Sequence, residues 1–546
     1  MSEKGEQMPI KVDSNVSHVF ESVDESTVPR TSFQNLVHTP GVWGKSLYMI
    51  QNIDTLFGIE TGGFKRVLPE AREPNVTKQL ISVTGLWFSA CGGLTSMESF
   101  LLGSLLFNLG LKQSMTVGII TQAIGCFVAA YASTMGPKSG LRQIVSTRFV
   151  LGWWLVRFGA LVNIVGLAGW SIVNAVIGGQ ILQTVSGDQI NLVLGIVLLS
   201  VFAFLVAVFG IRYLLKVETI FAIPVFISII LMYVVCSDKY QYASNTNMTS
   251  SPSELVGNSL SYAAIGYTVT GSWSGITSDY YVLFPEKTPS SHIFTVTFLG
   301  LLIPTTFVAV IGTYIGNIAL NYPPWLDEYN INGIGGLINI VFAGRWHGLG
   351  KFLVVILFVS LIANSVLNLY SFAFSVQMTI SYCGKVPRWM WTFAISAITL
   401  ICALAGRNKA SIILSNMLPM LGYWTSMYMT LLAEENLIFR TKWFHHLYTK
   451  ENEDRIDREK ASGEISAVSY YNWAVWNDRT KVTNGLAAGA AISCGIVGAV
   501  LGMDQVYFVG PLAVKAAGDV GIWVSVGMVG VVYPGLRFLE LKKFGR

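Results

Sequence analysis

Long runs of apolar residues alternate with short polar segments along most of the chain. Many runs approach the roughly 20 residues that a helix needs to cross a hydrocarbon core about 30 Å thick. The pattern predicts an all-α polytopic membrane protein with twelve transmembrane helices, which we number as spans 1–12: 79–102, 114–136, 157–184, 189–210, 214–236, 257–284, 291–319, 349–376, 389–406, 410–433, 484–507 and 519–537.

Spans 1 and 6 contain Gly-, Ser- and Thr-rich stretches at membrane depth, SACGGLTSMES (89–99) and TGSWSGITSD (270–279). Irregular backbone is tolerated at that depth where it lines a cavity. Since five is an odd number, spans 1–5 and spans 6–10 have opposite orientations, as an inverted repeat requires. Matched broken helices in the two halves indicate the binding site of a transporter, with spans 11 and 12 as two peripheral extra helices.

Polar segments divide the chain around these spans. Lys and Arg concentrate in the loops that lie on the same side of the membrane as the N-terminus, which predicts that both termini are cytosolic. The predicted organisation is a cytosolic tail over 1–78 that is disordered to about Arg30, repeat 1 over 79–236, repeat 2 over 257–433, a cytosolic loop over 434–483, spans 11 and 12 over 484–537 and a cytosolic tail over 538–546.

Composition excludes several classes of function. Charged residues form 12% of the chain, about half of what a soluble domain carries. The net charge of +5 comes mostly from short loops, so the lipid bilayer is an expected partner and nucleic acid is not. The six cysteines lack the spacing of a metal site, and no GxSxG, HExxH or P-loop motif is present. We therefore expect neither an enzyme nor a metal or organic cofactor.

Trp170 and Asn174 lie four residues apart in span 3, on one face of a helix. One interpretation is structural, with Trp170 in the core and Asn174 bonding a neighbouring helix. The alternative is substrate binding, and three further side chains favour it. Span 6 supplies Trp273, and span 8 supplies Asn364 and Asn368, again four residues apart.

Two indoles and several amides suit a flat, neutral, hydrogen-bonding heteroaromatic ring, since indoles stack on its faces and amides bind its edge. Gln180 and Gln377 offer further amides. No Lys or Arg lies near the centre of a span assigned to the cavity, which argues against a carboxylate or phosphate substrate.

Acidic residues inside a membrane are costly and usually functional. Asp279, six residues after Trp273, is a candidate for proton coupling or gating, with capping of a half-helix as the alternative. Glu98, in the outer part of span 1, is a second candidate that could instead reach outer water. Glu218 and Asp504 lie near span ends and are interpreted as interfacial.

Several motifs resemble the fungal purine–cytosine permeases of nucleobase–cation symporter family one. They are LWFSACGG (86–93), GLRQIVSTRF (140–149), GWSIVN (169–174), SWSGITSDYYVLFPE (272–286) and LELKKFGR (539–546). The resemblance implies a LeuT-like five-plus-five inverted repeat with two extra helices, and proton-coupled uptake at the plasma membrane with the proton as coupling ion. It assigns the substrate-binding Trp and Asn residues of the family to Trp170, Asn174 and Trp273.

The family's span-8 motif Asn-Asn-x-Pro-Asn falls on ANSVLN, where Ser365 replaces the second Asn and Leu367 the Pro. In span 1 the chain has Cys91, next to Ser89 in the same motif, where the cytosine carriers have Asn. Ser89 and Cys91 join the expected substrate-binding set. LWFSACGGLTSMESFLLGSLLF (86–107) and LPMLGYWTSMY (418–428) resemble pyridoxine-carrying members. The implied substrate is pyridoxine, with cytosine and purines as the alternative.

Overall fold

The computed structural model describes residues 65–209, 211–380, 383, 386–454 and 470–546, without the side chains of 211–213. The disorder predicted before Arg30 lies outside the described residues. The described chain is mostly helical, with α1–α16 at Val76–Cys91, Leu94–Leu105, Leu111–Ser133, Met135–Ser139, Gln143–Ser146, Arg148–Ser186, Leu192–Val208, Ile211–Cys236, Pro252–Gly271, Ser290–Asn321, Pro323–Thr379, Arg388–Gly406, Ala410–Glu434, Leu486–Gly502, Pro511–Ala516 and Gly521–Phe544.

Every predicted span overlaps one or two of these helices. Within the described residues, eight helical segments are long and apolar enough to cross a membrane, and two shorter apolar helices are α7 and α14. The two remaining predicted spans correspond to α9 and α13. Short 3₁₀ or π segments lie at Pro69–Ala71, Ser237–Tyr242, Ser272–Gly275, Thr277–Tyr280, Glu435–Phe439, His445–Leu447 and Trp473–Val475.

Helix boundaries differ from the predicted spans where the backbone bends or a loop is helical. α6 begins nine residues before span 3 because a kink at Gly152, with φ of 74°, joins a short leading turn to the main helix. α11 likewise includes much of the predicted loop before span 8, with kinks at Gly333 and His347. After α14, β1 (Asp504–Gln505) and β2 (Phe508–Val509) form a small antiparallel pair. The last residues continue α16 to Phe544.

Both predicted helix breaks are present. α1 ends at Cys91, and the chain passes through Gly92 and Gly93 before α2 begins. A Cβ atom on Gly93 would lie 2.6 Å from the Cβ and Oγ atoms of Ser360 on α11. The backbone N–H of Leu94, freed by the break, donates to Ser360 Oγ at 3.2 Å. Glycine thus allows the start of α2 to approach α11, and Ser360 satisfies a donor that the break exposes.

The second break follows α9, which ends at Gly271 and gives way to two 3₁₀ turns that end at Tyr280. Hydroxyl groups fix this segment to α3. Thr270 Oγ1 donates to the carbonyl of Gln122 at 2.7 Å, and Ser278 Oγ donates to the carbonyl of Ala132 at 3.0 Å. The irregular backbone is therefore anchored against a continuous helix and remains buried inside the protein.

A buried charge cluster joins the end of α13 to α16 and to the segment between α13 and α14. We define it as Glu435, Arg440, Glu451 and Arg537. Glu435 pairs with Arg440 at 3.1 Å and with Arg537 at 2.9 Å, and Arg440 pairs with Glu451 at 2.7 Å. Tyr448 donates a further hydrogen bond to Glu435. These charges are paired and hydrogen-bonded, as burial requires.

Candidate substrate-binding site

A cavity lies where the two broken helices meet α6, α11 and α13. This central cavity is lined by side chains from all five elements. They are Thr95, Ser96, Asn163, Gly166, Leu167, Trp170, Val269, Ser272, Trp273, Ser274, Gly275, Ile276, Asn364, Asn368, Leu421, Trp424, Thr425 and Tyr428. The matched breaks therefore do line a cavity, as predicted.

Indole rings form part of the cavity wall. Trp170 and Trp273 both line it, and both are more than nine-tenths buried. Trp87 contacts Trp273 edge to face, with ring centroids 5.3 Å apart and planes at 88°. Trp87 Nε1 in turn donates to the hydroxyl of Tyr281 at 3.0 Å, which fixes the supporting ring. The Trp273 face is thus held in place before any ligand arrives.

Asparagine amides form a chain of hydrogen bonds beside these rings. Asn174 Nδ2 donates to Asn364 Oδ1 at 3.0 Å, and Asn368 Nδ2 donates to the same oxygen at 3.0 Å. Asn364 Nδ2 donates to the carbonyl of Ala90, the residue before the last one of α1, at 3.1 Å. The chain therefore links α6 and α11 to the first broken helix.

Asn174 itself does not line the cavity. Its side chain is fully buried, and its Oδ1 accepts a hydrogen bond from Thr95 Oγ1 at 2.9 Å. Its Nδ2 also lies 3.2 Å from Ser365 Oγ, which accepts a second bond. Asn174 thus orients the lining residues Thr95 and Asn364. The amide therefore bonds a neighbouring helix, as the structural interpretation expects, and its part in substrate binding stays a prediction.

Asn368 offers the free edge of this network. Its Nδ2 donates to Asn364 Oδ1, while no hydrogen bond from a described residue reaches its Oδ1. Because Asn368 lines the cavity, that oxygen is available to accept a bond from a ligand hydroxyl or N–H group.

Four of the predicted polar groups lie elsewhere. Ser89 and Cys91 are fully buried on the far side of the first break and do not line the cavity. Gln180 Oε1 accepts from the backbone of Gly335 at 3.1 Å, and Gln377 Nε2 donates to the carbonyl of Val386 at 3.0 Å. Backbone groups at helix kinks and ends therefore bind both glutamines. The sequence alone does not show whether a glutamine side chain binds such backbone groups or a substrate.

Sequence reasoning missed several lining residues. Asn163 lies seven residues before Trp170, which is two helical turns and the same face, so that spacing was a usable signal. Its Nδ2 donates to Ser375 Oγ at 2.9 Å, and its Oδ1 lies 2.7 Å from the position of a Cβ atom on Gly275. Trp424 and Tyr428 of α13 also line the cavity, with nearly parallel rings 6.3 Å apart.

Asp279 is buried beside the cavity and accepts hydrogen bonds through both its carboxylate and its backbone carbonyl. The side chain is 2% exposed, and its Oδ1 accepts from the backbone N–H of Gln143 at 2.7 Å. Arg142 Nη1 donates to the Asp279 carbonyl at 2.7 Å. Gln143 also donates from Nε2 to the hydroxyl of Tyr428 at 2.7 Å. Asp279 therefore links the second break to α5 and, through Gln143, to α13.

Two other carboxylates are buried without such partners. Glu98 on α2 and Glu218 on α8 are fully buried, and none of their four carboxylate oxygens has a hydrogen-bond partner among the described residues. Glu218 lies near the start of α8, which begins at Ile211 and packs closely on α1, so protein buries its side chain. A Cβ atom on Gly85 would lie 2.7 Å from Thr219 Oγ1.

No side chain that carries a formal charge is among the described residues that line the central cavity. The walls supply aromatic faces, amides and hydroxyl groups. Such a lining can stack on a flat ring and hydrogen-bond its edge, and it has no cation to neutralise a carboxylate or phosphate. The arrangement is that of a binding site for a small neutral ring inside a helical membrane protein.

Comparison with known sequences defines the class. Residues 69–510 match the family described as permease for cytosine/purines, uracil, thiamine, allantoin, and the chain belongs to this family. It is a membrane transporter rather than an enzyme, as predicted. The chain is 45% identical over 531 residues to the vitamin B6 transporter TPN1 of Saccharomyces cerevisiae, covering 92% of this chain and 91% of TPN1.

More distant relatives are purine–cytosine permeases. FCY21 of Saccharomyces cerevisiae is 29% identical over 489 residues, covering 88% of this chain and 87% of FCY21. The fcyB permease of Emericella nidulans is 29% identical over 529 residues, covering 96% and 97% of the two chains.

The fold is shared with a solved transporter structure. Mhp1, a nucleobase-cation-symport-1 family transporter in a closed conformation with bromovinylhydantoin bound, aligns with a TM-score of 0.62 and 12% identity. The alignment covers 89% of this chain and 96% of Mhp1. The LeuT-like helical fold implied by the sequence motifs is confirmed.

Proposed function

We propose that this chain is a plasma-membrane proton symporter that imports pyridoxine and related vitamin B6 vitamers. The observation that carries the proposal is the uncharged aromatic and amide lining of the central cavity. Pyridoxine is a neutral, planar ring with hydroxyl groups and a weakly basic nitrogen, so it matches such a lining. The 45% identity to a vitamin B6 transporter supports the same substrate.

In this proposal Trp170 and Trp273 contact the faces of the ring, while Asn364 and Asn368 bond its edge. The free Oδ1 of Asn368 accepts a bond from a ring substituent, and Asn163 offers a further amide at the other end of the cavity. Asn174 acts as a positioning residue through its bonds to Asn364 and Thr95. Ser89 and Cys91 belong to the end of α1 and do not line the cavity, so in this proposal they do not contact the ring.

The alternative substrate class is cytosine and purines. The two 29% identical relatives are named as purine–cytosine permeases. These bases are also flat and hydrogen-bonding, so the lining alone does not exclude them. Ser365 departs from the family's span-8 motif and faces the Asn174 amide, where it accepts a bond at 3.2 Å. An altered amide network is consistent with a ring whose edge differs from that of cytosine.

Uptake measurements separate the two substrates. Labelled pyridoxine is supplied at pH 5 and pH 7 to yeast that lacks its own pyridoxine and cytosine carriers, with excess unlabelled cytosine or adenine in parallel. We expect uptake to be faster at pH 5 and insensitive to both bases. Cells with the empty vector provide the control. Uptake of cytosine or adenine without pyridoxine uptake would overturn the proposal.

Proton coupling is assigned to Glu98 and gating to Asp279. Glu98 is buried without a hydrogen-bond partner among the described residues, whereas the Asp279 carboxylate is held by Gln143. We expect Glu98→Gln to remove the stimulation of uptake at pH 5. Asp279→Asn retains an acceptor oxygen and should slow transport while leaving that stimulation intact.

Glu218→Gln serves as a comparison, since Glu218 is also buried and unpartnered within the described chain. If Glu98→Gln keeps the acid stimulation and Glu218→Gln or Asp279→Asn loses it, the coupling assignment to Glu98 is wrong. Surface expression of each variant is measured in parallel, so that loss of uptake is not confused with loss of protein.

A further inference from the structure

A small cavity lies where α6, α7, α11 and α12 meet, and none of its described lining residues belongs to the central cavity. Its lining is Ser171, Leu199, Ser200, Ala203, Ser365, Leu369, Ser396 and Thr399. The space has room for about one water molecule, so no organic ring fits it. Each of the four helices contributes at least one hydroxyl group to the walls. We call this space the hydroxyl cavity.

Most of these hydroxyl groups act as acceptors towards the cavity. Ser171, Ser200, Ser396 and Thr399 each donate to the carbonyl four residues earlier in their own helix, at 2.8–3.0 Å. A hydroxyl oxygen that donates its hydrogen in this way keeps two lone pairs. The hydroxyl cavity therefore presents four acceptor oxygens from three helices.

Ser365 is the lining hydroxyl with a different role. Its Oγ accepts from Asn174 Nδ2 at 3.2 Å, and no described residue accepts a hydrogen bond from its O–H group. The side chain is only 2% exposed, and a buried donor without an acceptor destabilises a fold. A single water molecule accepts this hydrogen and donates its own two hydrogens to two of the four acceptors. Three hydrogen bonds are the usual number for a buried water.

We infer that the hydroxyl cavity binds one buried water molecule, which fixes the orientation of Ser365 and thereby positions the asparagine chain beside the central cavity. The connection runs from Ser365 to Asn174, whose Nδ2 also donates to Asn364 Oδ1 at 3.0 Å. Asn364 lines the central cavity. The water also joins α7 and α12 to α6 and α11. Its effect on substrate affinity rests on the proposed function, whereas its presence does not.

The presence of the water is tested directly by an experimental density map of the full-length protein, at a resolution that shows ordered water. We expect one isolated peak about 2.8 Å from Ser365 Oγ and from at least two of the other lining hydroxyl oxygens. Clear density for the lining side chains without such a peak would overturn the inference. This measurement needs no substrate, so its outcome is independent of the proposed function.

Substitution of Ala203 separates the hydrogen bonds of the water from its volume. Ala203 lines the hydroxyl cavity and is 1% exposed. Ala203→Val and Ala203→Thr introduce side chains of nearly equal size, and both displace the water. The valine leaves the Ser365 hydrogen without an acceptor, whereas the threonine hydroxyl supplies one. A difference between the two variants therefore reports the lost hydrogen bond rather than a change in packing.

Saturation binding of labelled pyridoxine to the purified full-length variants measures the effect on the central cavity. We expect Ala203→Val to raise the Kd at least about fivefold and Ala203→Thr to leave it within about twofold of the unmodified protein. Equal Kd values for the two variants would overturn the positioning role of the water. Melting temperatures show whether both variants fold, and if neither does, the density map of the unmodified protein decides. Absence of pyridoxine binding by the unmodified protein would instead overturn the proposed function.

Discussion

At the scale of single residues, the Trp273 ring is an aromatic surface of the central cavity that other aromatic side chains hold from behind. Trp87 contacts it edge to face and is itself held by Tyr281. An aromatic pair contributes about 0.5–1.5 kcal/mol beyond area burial, and a face that needs no rearrangement can stack on a ligand at little entropic cost.

The first prediction follows from this support. Trp273→Ala should raise the KM for pyridoxine on the order of tenfold, because stacking of about 1.4 kcal/mol corresponds to that factor. Trp273→Phe keeps a smaller ring and should raise it less. Initial uptake rates over a range of concentrations test both variants. An unchanged KM in Trp273→Ala would show that this ring does not contact the substrate.

The second prediction separates Asn174 from Asn368. Asn174→Leu leaves the buried hydroxyl of Thr95 and an oxygen of Asn364 with fewer partners, and an unsatisfied buried polar group costs about 1–3 kcal/mol. We expect a lower melting temperature together with a higher KM. Asn368→Ala should raise KM with a smaller change in melting temperature, because Asn368 lines the cavity and makes one side-chain hydrogen bond to the described residues.

Melting curves of the detergent-solubilised protein and uptake kinetics provide the two quantities. Asn174→Leu with an unchanged melting temperature would contradict the assignment of Asn174 to the supporting network.

The role of this amide illustrates a limit of sequence reasoning. Helical spacing placed Trp170 and Asn174 on one face, but that face spans both the cavity and the α6–α11 contact. The position of α11 decides which residue meets the cavity.

At the scale of elements, glycine at the first break sets the distance between α2 and α11. The third prediction is that Gly93→Ala strongly reduces uptake, because its Cβ atom would lie 2.6 Å from Ser360 and would push the helices apart. Gly93→Ala combined with Ser360→Gly removes the atoms that clash. The double variant should therefore recover part of the lost uptake, although it loses the bond to Leu94.

Uptake normalised to surface expression tests this pair, with Ser360→Gly alone as the matched control. If the double variant transports no better than Gly93→Ala, steric contact with Ser360 is not the cause of the defect.

The interruption itself was predictable from the Gly, Ser and Thr content of span 1. The partner of Gly93 was not, because Ser360 is distant in sequence and is identified by helix packing.

Helix positions, too, were predictable from the sequence in part, whereas the bends within helices were not. Apolar periodicity located all twelve predicted spans because burial in lipid or protein requires continuous apolar helix. The kink at Gly152, with φ of 74°, has no counterpart in that periodicity. A Cβ atom there would lie 2.7 Å from the backbone carbonyl carbon of Asn484, so a contact with a remote segment determines the bend.

At the scale of the whole molecule, the buried charge cluster connects the end of α13 with α16. Burial raises the pKa of Glu435, but the guanidinium groups of Arg537 and Arg440 outweigh burial and lower it to about 2. A carboxylate with a lowered pKa stabilises the folded state above its unfolded pKa, near 4.3. This stabilisation is lost as pH falls from that value towards 2.

The fourth prediction concerns this cluster. Glu435→Gln should destabilise the protein at pH 7 by about 3–5 kcal/mol, because it leaves buried guanidinium charge unneutralised. The melting temperature of the variant should also fall less steeply below pH 4.5, because Glu435 no longer contributes to the loss of stability there. Glu73→Gln is the control, since the pair of Glu73 with Lys78 is partly exposed and contributes little.

Melting temperatures of the solubilised protein between pH 3 and pH 7 supply the measurement. Equal melting temperatures for Glu435→Gln and the unmodified protein at pH 7 would contradict the stabilising role of the cluster. The sequence predicts a cytosolic loop over 434–483, yet Glu435, Arg440 and Glu451 of that loop are buried. Pairing with Arg537, a residue of α16, explains why part of that loop is buried instead.

The uncharged lining of the central cavity has a consequence for how such carriers diversify. The described residues that line the central cavity carry no carboxylate, whereas Glu98 and Glu218 lie outside the lining. Substitutions among the amides and hydroxyl groups can therefore change the cargo without altering a protonatable group. If the proposed function is correct, the choice of nutrient and the source of energy for uptake therefore depend on separate sets of residues.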